Sequence, residues 1–340
     1  MPPPGIFLGT AGNVADDVVV LDSGDVADFN RADILPQPDS QLRNIRAWLQ
    51  PTEYAHRDGE YMKHMSSHLN GTARWVLDAP IFRQWHDSQQ DGILWIRGIP
   101  GSGKSVLAAS LIKHLTLEDC PVLYFFFRHT LDTNHSPEAA FLDWVAQILI
   151  NSSPLQLELT NSMQVQHSAT VPVQGLTLDE LCRLLRLALT HIPKAYGVVD
   201  ALDEMDQNRL EPFLRCLDEL GQGHLKLIIT SRPIAMVERV MRGIKVLDVR
   251  LRKNLIEPDM TAYMCYRLNL TQTPKAAFSS IIQGISSKAD GLFLYAKLAM
   301  DAIADLPRAA DMQQALQLMP ASLTQMYTDL LEEHAAHRYS

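Results

Sequence analysis

The chain has 340 residues, of which 46% are hydrophobic and 20% charged, and its formal net charge is -9. This length suffices for one large or two medium domains, and the acidic balance argues against nucleic acid as a partner. The 4 cysteines are widely spaced, so neither a zinc site nor a disulfide framework is expected. No signal peptide and no run long enough for a membrane span is apparent, which predicts a cytoplasmic protein.

Two segments precede the region in which strands are predicted. Residues 1–38 are rich in Asp, Gly and Pro and poor in aromatic residues, so we expect an acidic, flexible tail. Residues 39–90 carry apolar residues at spacings of three and four, which predicts a helical segment.

Residues 91–255 alternate short apolar runs with helical patterns. The runs predict five buried strands, at 92–96, Pro121–Phe127, Tyr196–Glu204, 225–232 and 244–251. Between them, Ser136 is a candidate N-cap for a helix, and Thr177 with Glu180 forms a candidate capping box for another. Strands separated by helices predict an α/β fold with a parallel sheet covered on both faces. After residue 255 only helical patterns follow, so residues 256–340 are predicted to form an all-α lid domain.

A glycine-rich stretch, "GIPGSGKS", lies between the first strand and the next helix and fits G-x-x-x-x-G-K-[ST] at every fixed position. Such a loop curls so that backbone N–H groups point at phosphate oxygens, which requires residues that tolerate positive φ. Lys104 then reaches the β- and γ-phosphates, and the helix places its positive N-terminus under them. The residues predicted to bind a nucleotide are Gly98, Ile99, Pro100, Gly101, Ser102, Gly103, Lys104, Ser105 and Val106.

Acidic residues supply the second half of the predicted site. Asp200 ends the third strand, so we expect it to hold Mg²⁺, directly or through water, together with the Ser105 hydroxyl. Asp203 and Glu204 follow closely enough to orient a water or to act as a base, and Arg232 after the fourth strand could contact the γ-phosphate. The alternatives are that the acids end a strand and cap a helix, and that Arg232 forms a structural salt bridge.

The strand Pro121–Phe127 lies, in sequence, between the glycine-loop strand and the Asp200 strand. This order favours the RecA-like and AAA-like branch of P-loop NTPases, in which a strand is inserted between the two motifs, over small nucleotide kinases and Ras-type GTPases.

The motifs together resemble the NACHT domain of fungal NOD-like, signal-transducing P-loop NTPases (the STAND class), in particular the nephrocystin type. The resemblance rests on "GILWIRGIPGSGKSVLAASLI", "YGVVDALDEMDQ" and "LKLIITSRP", and it covers about residues 40–335. Ala201 and Asp203 match the small residue and the acid that this family has after its Mg²⁺ aspartate. The resemblance implies a switch in innate-immune signal transduction, flanked by an effector and by ankyrin, WD40 or TPR repeats. We expect the helical domain to be cut off at residue 340, before the winged helix and repeats.

Three functions remain open from the sequence. The first is a molecular switch that binds ATP or GTP with Mg²⁺, hydrolyses it slowly to reset, and forms homo-oligomers when activated. The second is a turnover enzyme, an ATPase or a kinase. The third is a nucleotide-binding scaffold for protein interactions. The sequence also predicts that the base pocket is built by Gly71–Trp75 and the helical lid.

Overall fold

The computed structural model describes residues 38–326 and 328, except for positions 53, 89–91, 132, 166–174, 272 and 307. The predicted acidic tail lies outside the described residues apart from position 38, and so does the end of the predicted lid domain from position 329.

The centre of the fold is a five-stranded parallel sheet with the order β2-β3-β4-β1-β5. The strands are β1 (Ile93–Arg97), β2 (Val122–Phe126), β3 (Ala195–Asp200), β4 (Leu225–Ser231) and β5 (Val246–Arg250). All five predicted strands are therefore confirmed. The third is shorter than predicted, because Ala201 has a left-handed φ of 55° and the backbone turns there.

Fourteen helices are described around and beyond this sheet. They are α1 (Asp39–Leu49), α2 (Glu60–Ser66), α3 (Arg74–Asp78), α4 (Pro80–Asp87), α5 (Lys104–Leu115), α6 (Pro137–Ile148), α7 (Ser153–Val165), α8 (Leu178–Leu189), α9 (Leu210–Gly221), α10 (Ala235–Met241), α11 (Lys253–Asn269), α12 (Lys275–Ala289), α13 (Phe293–Ile303) and α14 (Ala309–Leu318). Both predicted helix starts are confirmed. Ser136 accepts a hydrogen bond from the Ala139 backbone N–H, and Thr177 and Glu180 form the reciprocal capping box.

The strand order assigns the fold to the predicted branch, but the strand that separates β1 from β3 is not the one that the sequence suggested. β4 lies between β1 and β3, whereas β2, which precedes β3 in the sequence, lies at the edge of the sheet. The AAA-like branch is confirmed, and the separating strand is the one that follows the Asp200 motif. Parallel strands bring their carboxyl ends to one edge, so the ends of β1, β3 and β4 adjoin there.

Side chains of successive strand residues alternate between the two faces of the sheet, and each face has its own core. Ile93 and Trp95 of β1 belong to a cluster covered by helices that include α6, α8 and α9, whereas Leu94 and Ile96 belong to a cluster covered by α3, α4 and α5. The helices α11–α14 enclose a third cluster. None of the helices in the described ranges is long and apolar enough to cross a membrane.

Candidate nucleotide site

The glycine loop connects β1 to α5 at the carboxyl edge of the sheet. Gly101 and Gly103 have φ values of 78° and 90°, in the left-handed region that L side chains rarely adopt. A Cβ at Gly98 would lie 2.6 Å from the Ser102 hydroxyl oxygen and 3.1 Å from the Leu251 Cβ, so the turn leaves little room for a side chain there. The pattern read from the sequence therefore corresponds to real backbone requirements at the strand-to-helix turn.

Lys104 opens α5 and folds back over the loop. Its Nζ donates hydrogen bonds to the carbonyl oxygens of Gly98 at 2.8 Å and Ile99 at 3.1 Å. Burial lowers the pKa of Lys104, while the nearby carboxylates of Asp203 and Asp200 favour its charged form. The lysine thus bridges the loop and the acidic end of β3.

Asp200 lies beneath this loop with no solvent exposure. Its Oδ1 accepts a hydrogen bond of 2.6 Å from the Thr230 hydroxyl, which itself accepts one of 3.0 Å from the Ala201 N–H. Its Oδ2 is buried and has no hydrogen-bond partner among the residues that the structure describes. A buried carboxylate oxygen without a partner is costly, and a hard cation or its bound water is a suitable partner.

Mg²⁺ fits these residues. The orphaned Oδ2 of Asp200 is an oxygen ligand of the kind that Mg²⁺ prefers, and Ser105, in the first turn of α5, lines the adjoining cavity. Among the described residues, no group of three or more His, Cys, Asp or Glu could hold a metal by itself. A cation here would need ligands from phosphate or water, as is usual for Mg²⁺.

Asp203 and Glu204 are both paired with Arg232. Asp203 accepts a hydrogen bond from the Arg232 backbone N–H, at 2.8 Å, and its Oδ2 forms an ion pair with the Arg232 Nε, at 3.1 Å. Glu204 Oε1 lies 3.1 Å from Arg232 Nη2. The salt bridge that the sequence left as an alternative for Arg232 is therefore present.

A second arginine, which the sequence reading missed, reaches the same acid. Arg128 follows β2 and places Nη1 3.7 Å from Glu204 Oε1, while its Nε donates to Glu60 at 2.7 Å and its Nη2 lies 2.7 Å from His64 Nε2. Burial opposes the charge of Arg128, but the hydrogen bond and charge of Glu60 raise its pKa. The position of Arg128 just after a strand could have indicated a site residue. Its partners on α2 could not have been predicted from the sequence.

These groups surround one cavity of about 890 Å³, within the range of small-molecule sites. The predicted residues on its wall are Pro100, Gly101, Ser102, Gly103, Lys104, Ser105, Val106, Asp203, Glu204 and Arg232. Gly98 and Ile99 instead contribute the carbonyls that hold Lys104, and Asp200 lies buried behind the wall. The predicted nucleotide-site residues thus converge on one place.

The far wall combines the segment before α3 with the helices after β5. Thr72, Ala73 and Trp75 lie on it, as the base-pocket prediction proposed. The helices contribute Asp259, Tyr263, Tyr266, Arg267, Phe293, Leu294 and Lys297. Aromatic rings on this wall can stack on a nucleobase.

The fold and this cavity define the class: a P-loop NTPase core of the AAA-like type. Residues 71–232 match the family model "Nephrocystin 3, N-terminal". The chain is 26% identical over 274 residues to the vegetative incompatibility protein HET-E-1 of Podospora anserina, an alignment that covers 76% of this chain and 20% of that protein. The predicted resemblance to the nephrocystin-type NACHT family is therefore confirmed.

Solved structures with a similar fold include replication proteins. Cdc6p from Pyrobaculum aerophilum matches with a TM-score of 0.45 and 16% identity, over 71% of this chain and 64% of that chain. ORC1 from Aeropyrum pernix, solved with DNA, matches with a TM-score of 0.44 and 12% identity, over 79% and 68%. Similarities this low carry no information about a ligand of this chain. The chain spans about a fifth of HET-E-1 and about two thirds of Cdc6p.

Proposed function

We propose that this chain is a nucleotide-binding switch that takes a nucleoside triphosphate, ATP or GTP, with Mg²⁺ and hydrolyses it slowly. The observation that carries the proposal is that the glycine loop and the paired acids Asp203 and Glu204 line one cavity, while Asp200 lies buried behind its wall with an Oδ2 that has no partner among the described residues. These groups provide separate places for phosphates, metal and attacking water.

The charge of the cavity suits a polyphosphate. Cationic side chains on its wall outnumber the acidic ones; the cations are Lys63, Lys104, Arg128, Arg232, Arg267 and Lys297, and the acids are Asp203, Glu204 and Asp259. Backbone N–H groups at the start of α5 add positive potential. Mg²⁺, when bound, would neutralise phosphate charge, and Ser105 and Asp200 are the residues that would hold it.

The ion pairs around Glu204 favour a switch over a fast enzyme. A base must accept a proton from water, but Glu204 is already engaged by Arg232 and lies close to Arg128. Arg232 would have to exchange these carboxylates for the γ-phosphate before a water could be oriented. A bound triphosphate would therefore alter a cluster that joins β2, β3 and β4, and hydrolysis would restore it.

We base the proposed biological setting on the similarity to HET-E-1. HET-E-1 is named for vegetative incompatibility, which agrees with a cytoplasmic role in fungal signal transduction of the innate-immune kind. Homo-oligomerisation in the triphosphate state would be the output.

One experiment separates the three candidate functions. Bound nucleotide is measured by chromatography, steady-state hydrolysis by phosphate release, and mass by light scattering, each with ATP, GTP and a non-hydrolysable analogue. A switch retains triphosphate, turns over far below the typical ~1–10³ s⁻¹ of enzymes, and changes mass or hydrogen exchange with the analogue. Rapid turnover without such a change would support the enzyme, and nucleotide binding with neither turnover nor a change in mass or hydrogen exchange would support the scaffold.

Lys104→Ala is the first test of binding itself. We expect it to remove most of the affinity for Mg-ATP or Mg-GTP, because the ammonium neutralises phosphate charge, while the fold persists because Lys104 is not part of the core. Fluorescence titration of a labelled triphosphate gives the affinity. Lys113→Ala, at the exposed end of the same helix, is the matched control. Equal affinity in both variants would contradict the phosphate role of Lys104.

A further inference from the structure

A second cavity, of about 430 Å³, is bordered by the segment between α1 and α2 and by the edge strand β2. This volume lies within the range of small-molecule sites. Three half-buried tyrosines, Tyr54, Tyr61 and Tyr124, line it, and we call it the tyrosine cavity. It is distinct from the proposed nucleotide cavity, because Lys63 is the one described residue that lines both.

The three tyrosine rings form a single cluster. The ring centroids of Tyr54 and Tyr61 lie 6.0 Å and 5.1 Å from that of Tyr124. The Arg46 guanidinium lies 5.1 Å from the centroid of the Tyr54 ring, so one ring of the cluster already holds a cation. In the described part of the chain, no cationic side chain lies over the rings of Tyr61 and Tyr124. The faces of such rings attract cations, and quaternary ammonium groups in particular.

The ionisable side chains that line the tyrosine cavity are mostly acidic. Among the described residues they are Asp58, Glu60 and Asp143 against the cation Lys63, which pairs with Glu60 at 3.0 Å. Asp143 is fully buried, and Thr52 donates a hydrogen bond to each of its two carboxylate oxygens. No described cationic side chain forms an ion pair with Asp143. A buried carboxylate without a counter-charge favours a cation nearby.

We propose that the tyrosine cavity binds a small organic cation, whose ammonium group lies against the tyrosine rings and is balanced by the charge of Asp143. Because Thr52 covers both oxygens of Asp143, the carboxylate acts on the ligand through space, which is effective in surroundings of low dielectric constant. The same charge opposes an anionic ligand, and a neutral ligand would leave it uncompensated. This site is independent of the nucleotide.

Titration of the full chain with choline, followed by NMR of the ligand, tests the requirement for charge. Neohexyl alcohol is the matched probe, because it has the shape of choline without the positive charge. We expect choline to bind saturably and the alcohol to bind at least about tenfold more weakly. Phenethylammonium and spermidine, as primary amines of other shapes, complete the set of cations.

Two pairs of variants separate the charge from the rings. Asp143→Asn keeps the shape and removes the charge, so we expect choline affinity to fall about tenfold while the alcohol binds as in the parent. Tyr124→Leu removes a ring and should also weaken choline binding, whereas Tyr124→Phe keeps the ring and should retain it. Asp305→Asn, at an exposed acid that does not line the cavity, should bind choline like the parent.

The pH dependence of choline binding is a readout that a purely structural role of Asp143 would not change. The charged and titratable groups that face Asp143 are Arg46 on α1, Tyr54 and Tyr124. Burial raises the pKa of Asp143 to about 7, although Arg46 favours its charged form. Burial also raises the pKa of both tyrosines, so they stay neutral. Choline keeps its charge at every pH, so its affinity should rise as the pH rises through about 7 in the parent and stay constant in Asp143→Asn.

Three results would overturn the proposal. Equal affinity for choline and for the alcohol would show an apolar cavity without preference for charge. The absence of saturable binding by all three cations would show that it holds no organic cation. Displacement of choline by Mg-ATP would place choline in the nucleotide cavity. Choline binding that persists with Mg-ATP, weakens in Asp143→Asn and follows the expected pH profile supports the proposal.

Discussion

Asp143 is an ionisable side chain in the interior of the protein. It lies in α6 with no solvent exposure, and its two carboxylate oxygens accept hydrogen bonds from Thr52, at 2.7 Å from the backbone N–H and at 2.5 Å from the hydroxyl. Burial nevertheless raises the pKa of Asp143 to about 7. Its side chain ties α6 to the segment between α1 and α2, away from the glycine loop.

This pKa predicts a pH-dependent stability. The folded chain binds the Asp143 proton more tightly than the unfolded chain, whose pKa is near 3.8. The stabilisation is therefore complete below that value and is lost as the pH rises through about 7. We expect Asp143→Asn to remove this dependence, so that urea denaturation between pH 5 and pH 8 shows the variant gaining on the parent as the pH rises. The exposed Asp305→Asn should keep a constant offset, and a constant offset for Asp143→Asn would contradict the argument.

Glu204 provides the residue-scale test of slow hydrolysis. Glu204→Gln keeps the shape and removes the charge, so we expect it to retain triphosphate while hydrolysis slows by about 10²–10⁴-fold, as for a lost general base. Chromatography of bound nucleotide and phosphate release measure the two effects. Glu211→Gln, an exposed glutamate on α9, should hydrolyse at the parental rate. If Glu204→Gln does so too, Asp203 takes the role or no carboxylate does.

The site residues divide according to the range of their interactions. Gly98, Gly103 and Lys104 were predictable because the loop pattern is local and its backbone demands are strict. Glu60 was not, because it reaches Arg128 from a helix 68 positions earlier in the chain. The sequence around Glu60 indicates a pair with Lys63, three positions later, but not the pair with Arg128.

At the scale of elements, the sheet and α6 meet at a glycine. A Cβ added to Gly197 in β3 would lie 2.7 Å from the Leu227 Cδ2 on β4 and 2.8 Å from the Trp144 ring on α6. Trp144 is itself completely buried. The close approach of this helix to the sheet therefore depends on a missing side chain.

Gly197→Ala should consequently destabilise the fold by about 1–3 kcal/mol, the usual cost of overpacking. Chemical denaturation measures the free energy of unfolding. Gly223→Ala is the control, because its added Cβ would have only an ordinary contact, 3.5 Å from the Leu220 carbonyl oxygen. Equal stability of the two variants would show that Trp144 can move aside without loss.

Elements with strong local signals were also the ones that the sequence specified. The five strands are short and mostly apolar, and the capping box at Thr177 indicates where α8 begins. The order of the strands in the sheet could not be predicted in this way, because it depends on which helix covers which face. The position of β4 between β1 and β3 is set by such long-range packing.

At the scale of the molecule, the hydrophobic clusters around the sheet are separate from the cluster within α11–α14, and polar contacts link the two parts. Asp259 on α11 makes one of them. Its Oδ2 accepts hydrogen bonds from the Ala73 backbone N–H at 2.8 Å and from the Trp75 Nε1–H at 3.1 Å. One carboxylate oxygen thereby connects α11 to the segment around Ala73 that forms part of the cavity wall.

Asp259→Ala should loosen this junction. It leaves two donors without their partner, which costs about 1–3 kcal/mol for each group that stays buried. We expect calorimetric unfolding to show a single transition in the parent and a broadened or split one in the variant. The affinity for Mg-ATP should fall as well, because the base wall no longer keeps its position relative to the glycine loop. Asp259→Asn retains an acceptor oxygen and should stay close to the parent in both measurements. If Asp259→Ala loses stability and still binds nucleotide with parental affinity, the helical side contributes nothing to the site and the core binds nucleotide alone.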